Sequence, residues 1–304
     1  MKNNFLNFSI IFILLTNIIF LKAHSFEQFN FNVTEIEILE NGNLIRGVKR
    51  GIVTSNNGIE IEANTFEYNK LLNILNADGD VKIIDKFNNY EIYSDEATYN
   101  RNIETINKKN NSKAIYKKDI TIEGKVFEYN KVSNILKADG DVKVIDKIKN
   151  YEIYSDGLTY NINKEVIETK GHSNFLINNK YNISSKNAVF KRKDQIIESV
   201  YKTIIKDKNS NVYVLDEIIY QLNSEIIKGK NIIVTTNNNL PNSDKYFFSN
   251  GIIDLKKDKI KAKNPKVILH KDIFDNAEND PRLYGLSSFK DGDITTINKG
   301  VFTS

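Results

Sequence analysis

The chain contains two near-copies of one segment. Residues 59–100 read IEIEANTFEYNKLLNILNADGDVKIIDKFNNYEIYSDEATYN, and residues 120–161 read ITIEGKVFEYNKVSNILKADGDVKVIDKIKNYEIYSDGLTYN. Thirty of 42 positions are identical at a shift of 61 residues, without a gap. Inside each copy runs a shorter period of about 30 residues, marked by Tyr68, Tyr99, Tyr129, Tyr160, Phe190 and Tyr220. A small residue stands five positions earlier in the first five units (Ala63, Ser94, Gly124, Ser155 and Ser185), and Leu215 breaks the pattern in the sixth. Fainter units lie around Ile38 to Gly47 and Leu255 to Ile268. Units this short cannot bury an apolar face alone, so the core must be continuous through a stack of them.

Within a unit the apolar residues alternate, as in a strand with one wet face. Ile59, Ile61 and Ala63 share a side. The phase then flips so that Phe66 and Tyr68 align, which predicts a bulge or bend near Asn64. A second strand carries Leu75, Ala77, Gly79, Val81 and Ile83 on one face. Its counterpart in the third unit carries Leu136, Ala138, Gly140, Val142 and Val144, whereas that of the second unit, near Asn107 to Ala114, is degenerate and polar. Richness in Ile, Val, Tyr, Phe and Thr, with no 3.6-residue period, argues against helix throughout the repeats. The fold class expected is all-β, built from two-strand units.

The start of the chain sets its compartment. Met1-Lys2, an apolar run from Phe5 to Leu21 and then Ala23-His24-Ser25 form a secretory leader with cleavage expected after Ser25. Removing residues 1–25 takes away Lys2 and Lys22, leaving 41 basic against 39 acidic residues. That balance gives no reason to expect a nucleic-acid partner. With no cysteine, neither disulfides nor thiolate metal sites can staple the fold.

Catalytic and metal motifs are weak. Asp78-Gly79-Asp80 and Asp139-Gly140-Asp141 lack the converging oxygens of a calcium loop and read as solvent-facing strand residues. His172 and His270 fall in different units, and His24 lies in the leader. No nucleophile elbow, zinc helix or phosphate loop is present, so no enzyme activity, cofactor or metal is expected.

The inward row carries the functional question. It holds Ile61, Phe66, Tyr68, Leu75, Val81 and Ile83 in the first unit. The later units continue it with Ile92, Tyr99, Ile122, Phe127, Tyr129, Leu136, Val142, Val144, Ile153, Leu158, Tyr160, Phe175, Ile183, Phe190 and Tyr220. Such a row either fills a closed solenoid core or lines a groove that holds a chain-like apolar ligand.

The succession Y-x-I-x-S-x-x-A-T-Y-N (Tyr90 to Asn100) and A-x-G-x-V-x-I (Ala77 to Ile83, Ala138 to Val144) resembles the OstA-like repeats of lipopolysaccharide-transport proteins, over roughly residues 35 to 270. The tail from Ile294 to Ser304 is similar to the stretch that comes after the repeats in LptD-type translocons. The cysteine and barrel strands that lie beyond it there are not in this sequence. The resemblance implies an open V-shaped β-jellyroll over residues 26–270 and a linker over 271–304 leading toward a barrel. It implies a periplasmic location at the outer membrane and lipopolysaccharide as ligand, its acyl chains lying along the inward row. It further implies an LptA-type bridge protein paired at an edge strand, and an outer-membrane lipoprotein partner if a barrel exists. A free-standing LptA-like bridge is the alternative. On this reading the N-terminal edge receives the bridge, while Asn264-Pro265 blunts the C-terminal edge.

Overall fold

Alternation of period two folds as strand along nearly all of the described residues, among which 26 strands join one antiparallel sheet. The computed structural model describes residues 29–274, 278, 280–292 and 294–303. The leader expected over 1–25 lies outside the described residues.

The centre is an up-and-down meander of long strands, Ile74–Asp85, Tyr90–Asn100, Thr105–Tyr116, Ile120–Asn130, Ile135–Asp146, Tyr151–Asn161 and Val166–Ile177. Each pairs with the next. These strands are not straight. Tyr90, Tyr116 and Ile120 are successive neighbours across the sheet. A straight strand would carry Tyr129 about 30 Å from Ile120, at ~3.3 Å per residue. Instead the Tyr129 ring stacks on Tyr90, with centroids 5.1 Å apart. Each long strand therefore doubles back at its middle, and the sheet is folded lengthwise into two facing leaves. The front leaf holds residues 59–63, 81–85, 90–94 and 120–124 with their successors; the back leaf holds 65–69, 74–78, 97–100 and 126–130.

The fold line is written in the sequence. Ladder register shifts between Asp78 and Val81 and between Asp139 and Val142. Gly79 and Asp80 there have φ of +77° and +47°, and Gly140 and Asp141 have +80° and +50°. An added Cβ on Gly79 would lie 2.5 Å from the Asn64 side chain, so this crowded left-handed corner needs glycine. The aspartates of both Asp-Gly-Asp runs thus flank a bulge that bends the strand. The row of small residues lies on the same line. Ser155 Oγ donates to Gly157 O at 2.8 Å, and a Cβ on Gly124 would press on the Phe127 ring at 3.0 Å. Asparagine is frequent because the hairpin turns need left-handed residues: Asn73, Asn89, Asn134, Asn150 and Asn178 have φ between 51° and 60°.

The polar, degenerate strand expected near Asn107 to Ala114 forms in full as Thr105–Tyr116, because its two neighbours supply a ladder that propensity alone does not. Two sequence expectations are corrected. The segment 271–304, expected as a linker, carries Arg282–Tyr284, Ser287–Asp291, Ile294–Asn298 and Val301–Thr303, all hydrogen-bonded into the sheet. Finally, Asn264-Pro265 does not blunt the last edge. It sits at the fold line between Lys259–Lys263 and Lys266–Ile268, where no ladder donor is required, and further strands pair beyond it.

Candidate lipid-binding interior

All twenty-one residues of the expected groove row lie between the two leaves in one apolar cluster, and none is more than 5 % exposed. Over residues 55–225 the lips of the folded sheet touch, so the row is closed over rather than open to solvent. Aromatic pairs close it from opposite leaves. Phe29 meets Tyr68 at 4.8 Å, Tyr90 meets Tyr129 at 5.1 Å and Tyr116 meets Tyr160 at 6.2 Å. Tyr151 meets Phe190 at 4.8 Å, and Tyr181 meets Tyr220 at 6.0 Å. Each such pair contributes about 0.5–1.5 kcal/mol beyond its burial.

Outside the rings runs a polar seam. Asp85 ends the inward phase of its strand, after Val81 and Ile83. One of its oxygens accepts the turn amides of Phe87 and Asn88, both at 3.1 Å; the other accepts Tyr129 Oη at 3.0 Å across the lips. Asp146 repeats the motif: its Oδ1 accepts from Ile148 and Lys149, and its Oδ2 accepts Arg192 Nε at 2.8 Å. Asn57 Nδ2 donates to Tyr99 Oη at 2.8 Å, and Lys180 Nζ and Tyr181 Oη donate to Glu225 at 2.6 and 2.7 Å. Burial, reinforced by the Asp85 carboxylate, pushes the Tyr129 phenol well above its ordinary range, so it stays a donor. Sequence reasoning missed Asp85 and Asp146. Their signal was a carboxylate on the apolar phase of a repeated strand.

The turn backbones bond along each lip. Lys86 N donates to Gly58 O and Lys117 N to Asn89 O on the front lip; Arg101 N donates to Asn73 O and Lys131 N to Glu104 O on the back. The fold line is covalent, whereas the seam is crossed by these side-chain contacts. The lips also present apolar side chains to solvent: Leu71, Leu72, Ile103 and Val132 on the back lip, Phe87 and Ile148 on the front. Past Glu225 the seam parts over a cavity of 640 Å³.

One interior residue breaks the apolar pattern. Lys108 stands where the neighbouring units have Ala77 and Ala138, is 2 % exposed, and lies against a cavity of 550 Å³ near the fold line. The ladder between its strand and Tyr90–Asn100 is interrupted between Tyr93 and Thr98. Lys108 Nζ donates to the Tyr93 carbonyl at 2.7 Å and lies 5.6 Å from the centroid of the Phe127 ring. Burial lowers its pKa to about 7. Of the histidines, His270 Nδ1 lies 2.8 Å from Asp244 Oδ1 across 26 residues of sequence, a pairing no local spacing announced.

No family model matches the chain, and no curated protein matches it. Among solved structures it is similar to the crystal structure of LptH, the LptA homologous periplasmic component of the conserved lipopolysaccharide transport device from Pseudomonas aeruginosa. That alignment has a TM-score of 0.34 and 16% identity, covering 37% of this chain and 81% of that one.

Proposed function

We propose that this protein shields the acyl chains of lipopolysaccharide on their way across the periplasm, as the periplasmic part of an LptD-like translocon. The observation that carries the reading is the inward row itself. Apart from Lys108 it is apolar from Phe29 to Val267, and it is bounded on one side by a backbone fold and on the other by a side-chain seam. A chain of about 14 carbons exposed to water costs on the order of 10 kcal/mol, so a conduit must cover it continuously. Near-identical units offer near-equal seats with no deep trap. A free-standing LptA-like bridge uses the same physics, and the gene downstream of Ser304 separates the two. Alternating strands encoded there would favour the translocon and a stop codon the bridge. In either case the edge strands would meet a bridge protein, with an outer-membrane lipoprotein as a further partner for the translocon.

Photo-crosslinkers at Phe127 or Tyr160 should capture lipopolysaccharide, and crosslinkers at Glu128 or Lys143, on the outer face, should not. Equal capture at both sets refutes the conduit. A structural stack with a permanently filled core is the second reading, favoured by the near-complete burial of the row. It gains if well-folded protein shows no saturable lipid binding.

A further inference from the structure

The aromatic row and the seam end at the same place. Successive register partners carry the Tyr220 position along the back leaf to Ile227, Ile253, Ile260 and Lys290. The strands that would bear the next two aromatic residues therefore present Ile253 and Lys290. On the front leaf Tyr246 turns its ring toward Phe248 of its own strand, 6.4 Å away, instead of meeting a ring across the mouth. Polar contact across the seam reaches as far as Lys180 and Tyr181 with Glu225. The next turn contact, Lys290 with Asp258, joins two residues of one leaf.

The space those rings would fill is open. The 640 Å³ cavity lies between Tyr213, Val234 and Tyr246 on one leaf and Ile253, Leu255 and Ile260 on the other. Its floor is continuous with the sealed core, since Tyr213, Val234, Ile253 and Ile260 belong to the same apolar cluster as Tyr220. The carboxylates at its rim are already engaged. Asp207 accepts from Asn209, Asn211 and Tyr213, Asp254 accepts from Lys257 N, and Asp258 pairs with Lys290. Lys208, exposed on the same rim, has no ion-pair partner among the described residues.

We infer that this C-terminal stretch of the mouth is the seat for one hydrocarbon chain of an anionic amphiphile, and the point at which such a chain can pass between the folded sheet and the solvent. The volume falls within the range of small-ligand pockets. The rim is polar, with Asn178, Asn209, Asn211 and Thr236 beside the charged groups, but the buried floor of Val234, Ile253 and Ile260 offers no hydrogen bonds, so polar groups of a peptide or sugar reaching it would be stranded. An alkyl chain loses nothing, and its charged head remains at the wet rim beside Lys208. The inference rests on the conduit reading but locates where the interior opens to solvent, which that reading does not.

The test uses the full chain and a fluorescent fatty acid. Wild-type protein binds the probe saturably. Ile253→Phe extends the aromatic row into the cavity and weakens binding by at least about 10-fold, with thermal stability equal or higher. Val132→Ser, on the sealed part of the lip, leaves binding unchanged. A photoactivatable fatty acid labels peptides containing Tyr213 or Tyr246, which keeps the seat testable if Ile253→Phe folds poorly. Displacement by palmitate alone identifies a free fatty acid as the source of the chain, and displacement by lipopolysaccharide identifies the glycolipid; either supports the seat. Binding unaffected by Ile253→Phe, no saturable binding, or labelling confined to peptides that do not line this cavity overturns it. If lipopolysaccharide still crosslinks at Phe127 and Tyr160 under those outcomes, the conduit stands without this seat. If Ile253→Phe blocks the probe while lipopolysaccharide never crosslinks, the seat stands without the conduit.

Discussion

Lys108→Met should stabilise the protein at neutral pH and remove a specific pH dependence. The buried amine costs free energy because water is withdrawn from its charged form, lowering its pKa from 10.5 to about 7. At 1.36 kcal/mol per unit that is roughly 4–5 kcal/mol against folding wherever both states are protonated. Proton counting sets the sign. Between pH 7 and 10.5 the unfolded chain holds more protons at this site than the folded chain, so stability rises with pH there. The cost is fully present below about pH 6, is relieved by about 2 kcal/mol between pH 7 and 9, and is gone above the unfolded value. Methionine keeps the length of the side chain and forfeits the bond to the Tyr93 carbonyl, worth about 1 kcal/mol. The variant should therefore gain about 3 kcal/mol at pH 7, and its stability between pH 7 and 9 should rise less than that of the wild type by about 2 kcal/mol. Urea unfolding followed by circular dichroism from pH 5 to 9 measures both quantities. A variant less stable than wild type at pH 7, or with the same pH slope, would refute the assignment of Lys108 as an uncompensated interior cation.

Arg192→Ala should cost about 3–5 kcal/mol, because it strands the Asp146 carboxylate, whose side chain is 0% exposed. Arg192→Met combined with Asp146→Leu should recover most of that loss, and urea midpoints decide between the two outcomes. At the ends of the sheet, Ile36–Leu39 pairs only with Leu44–Gly47 among the described strands, and Ile294–Asn298 only with Ser287–Asp291. Ile38→Pro should abolish pairing with a bridge protein at the first edge and leave the interior units folded, since stacked repeats depend mainly on nearest neighbours. Crosslinkers along both edges read this out, and capture of the bridge through Ile294–Asn298 alone would reverse the polarity.

The strands were readable because a two-residue period repeated in near-identical copies leaves few alternatives. Even the fold line was signalled, by the phase flip at Asn64 and the glycines at 79 and 140. The closure of the mouth was not. Asp85 bonds Tyr129 and Asp146 bonds Arg192 at separations of 44 and 46 residues, an offset that exists only once the bent strands are stacked. Lys108 was hidden because a lysine in a polar segment reads as solvent-facing, and only the burial of its neighbours turns it inward. The last four strands escaped because Ser287–Asp291 and Ile294–Asn298 are short and polar. Their strand character comes from the open edge offered by Lys259–Lys263 rather than from their own composition.

The two long sides of the folded sheet differ in kind, and that difference decides how the interior can be reached. At the fold line, separation would break the chain's own backbone geometry at every strand. At the seam, a unit is held by one ring pair and, at Asp85, Asp146 and Glu225, by one or two charge-assisted hydrogen bonds, roughly 2–4 kcal/mol together. Opening one unit is thus a modest excursion, while opening all five sealed units at once would cost more than about 10 kcal/mol, comparable to the whole stability of a typical domain. Each front-lip turn is tied to a back-lip turn about 44 residues further on, so a parted unit loosens its neighbour on one side before the other. A hydrocarbon chain seated beside Tyr220, where the rings already fail to meet, would need to part only the Tyr181–Tyr220 pair and the Glu225 contacts to advance by one unit. It would offset that cost with its own burial at about 0.8 kcal/mol per methylene.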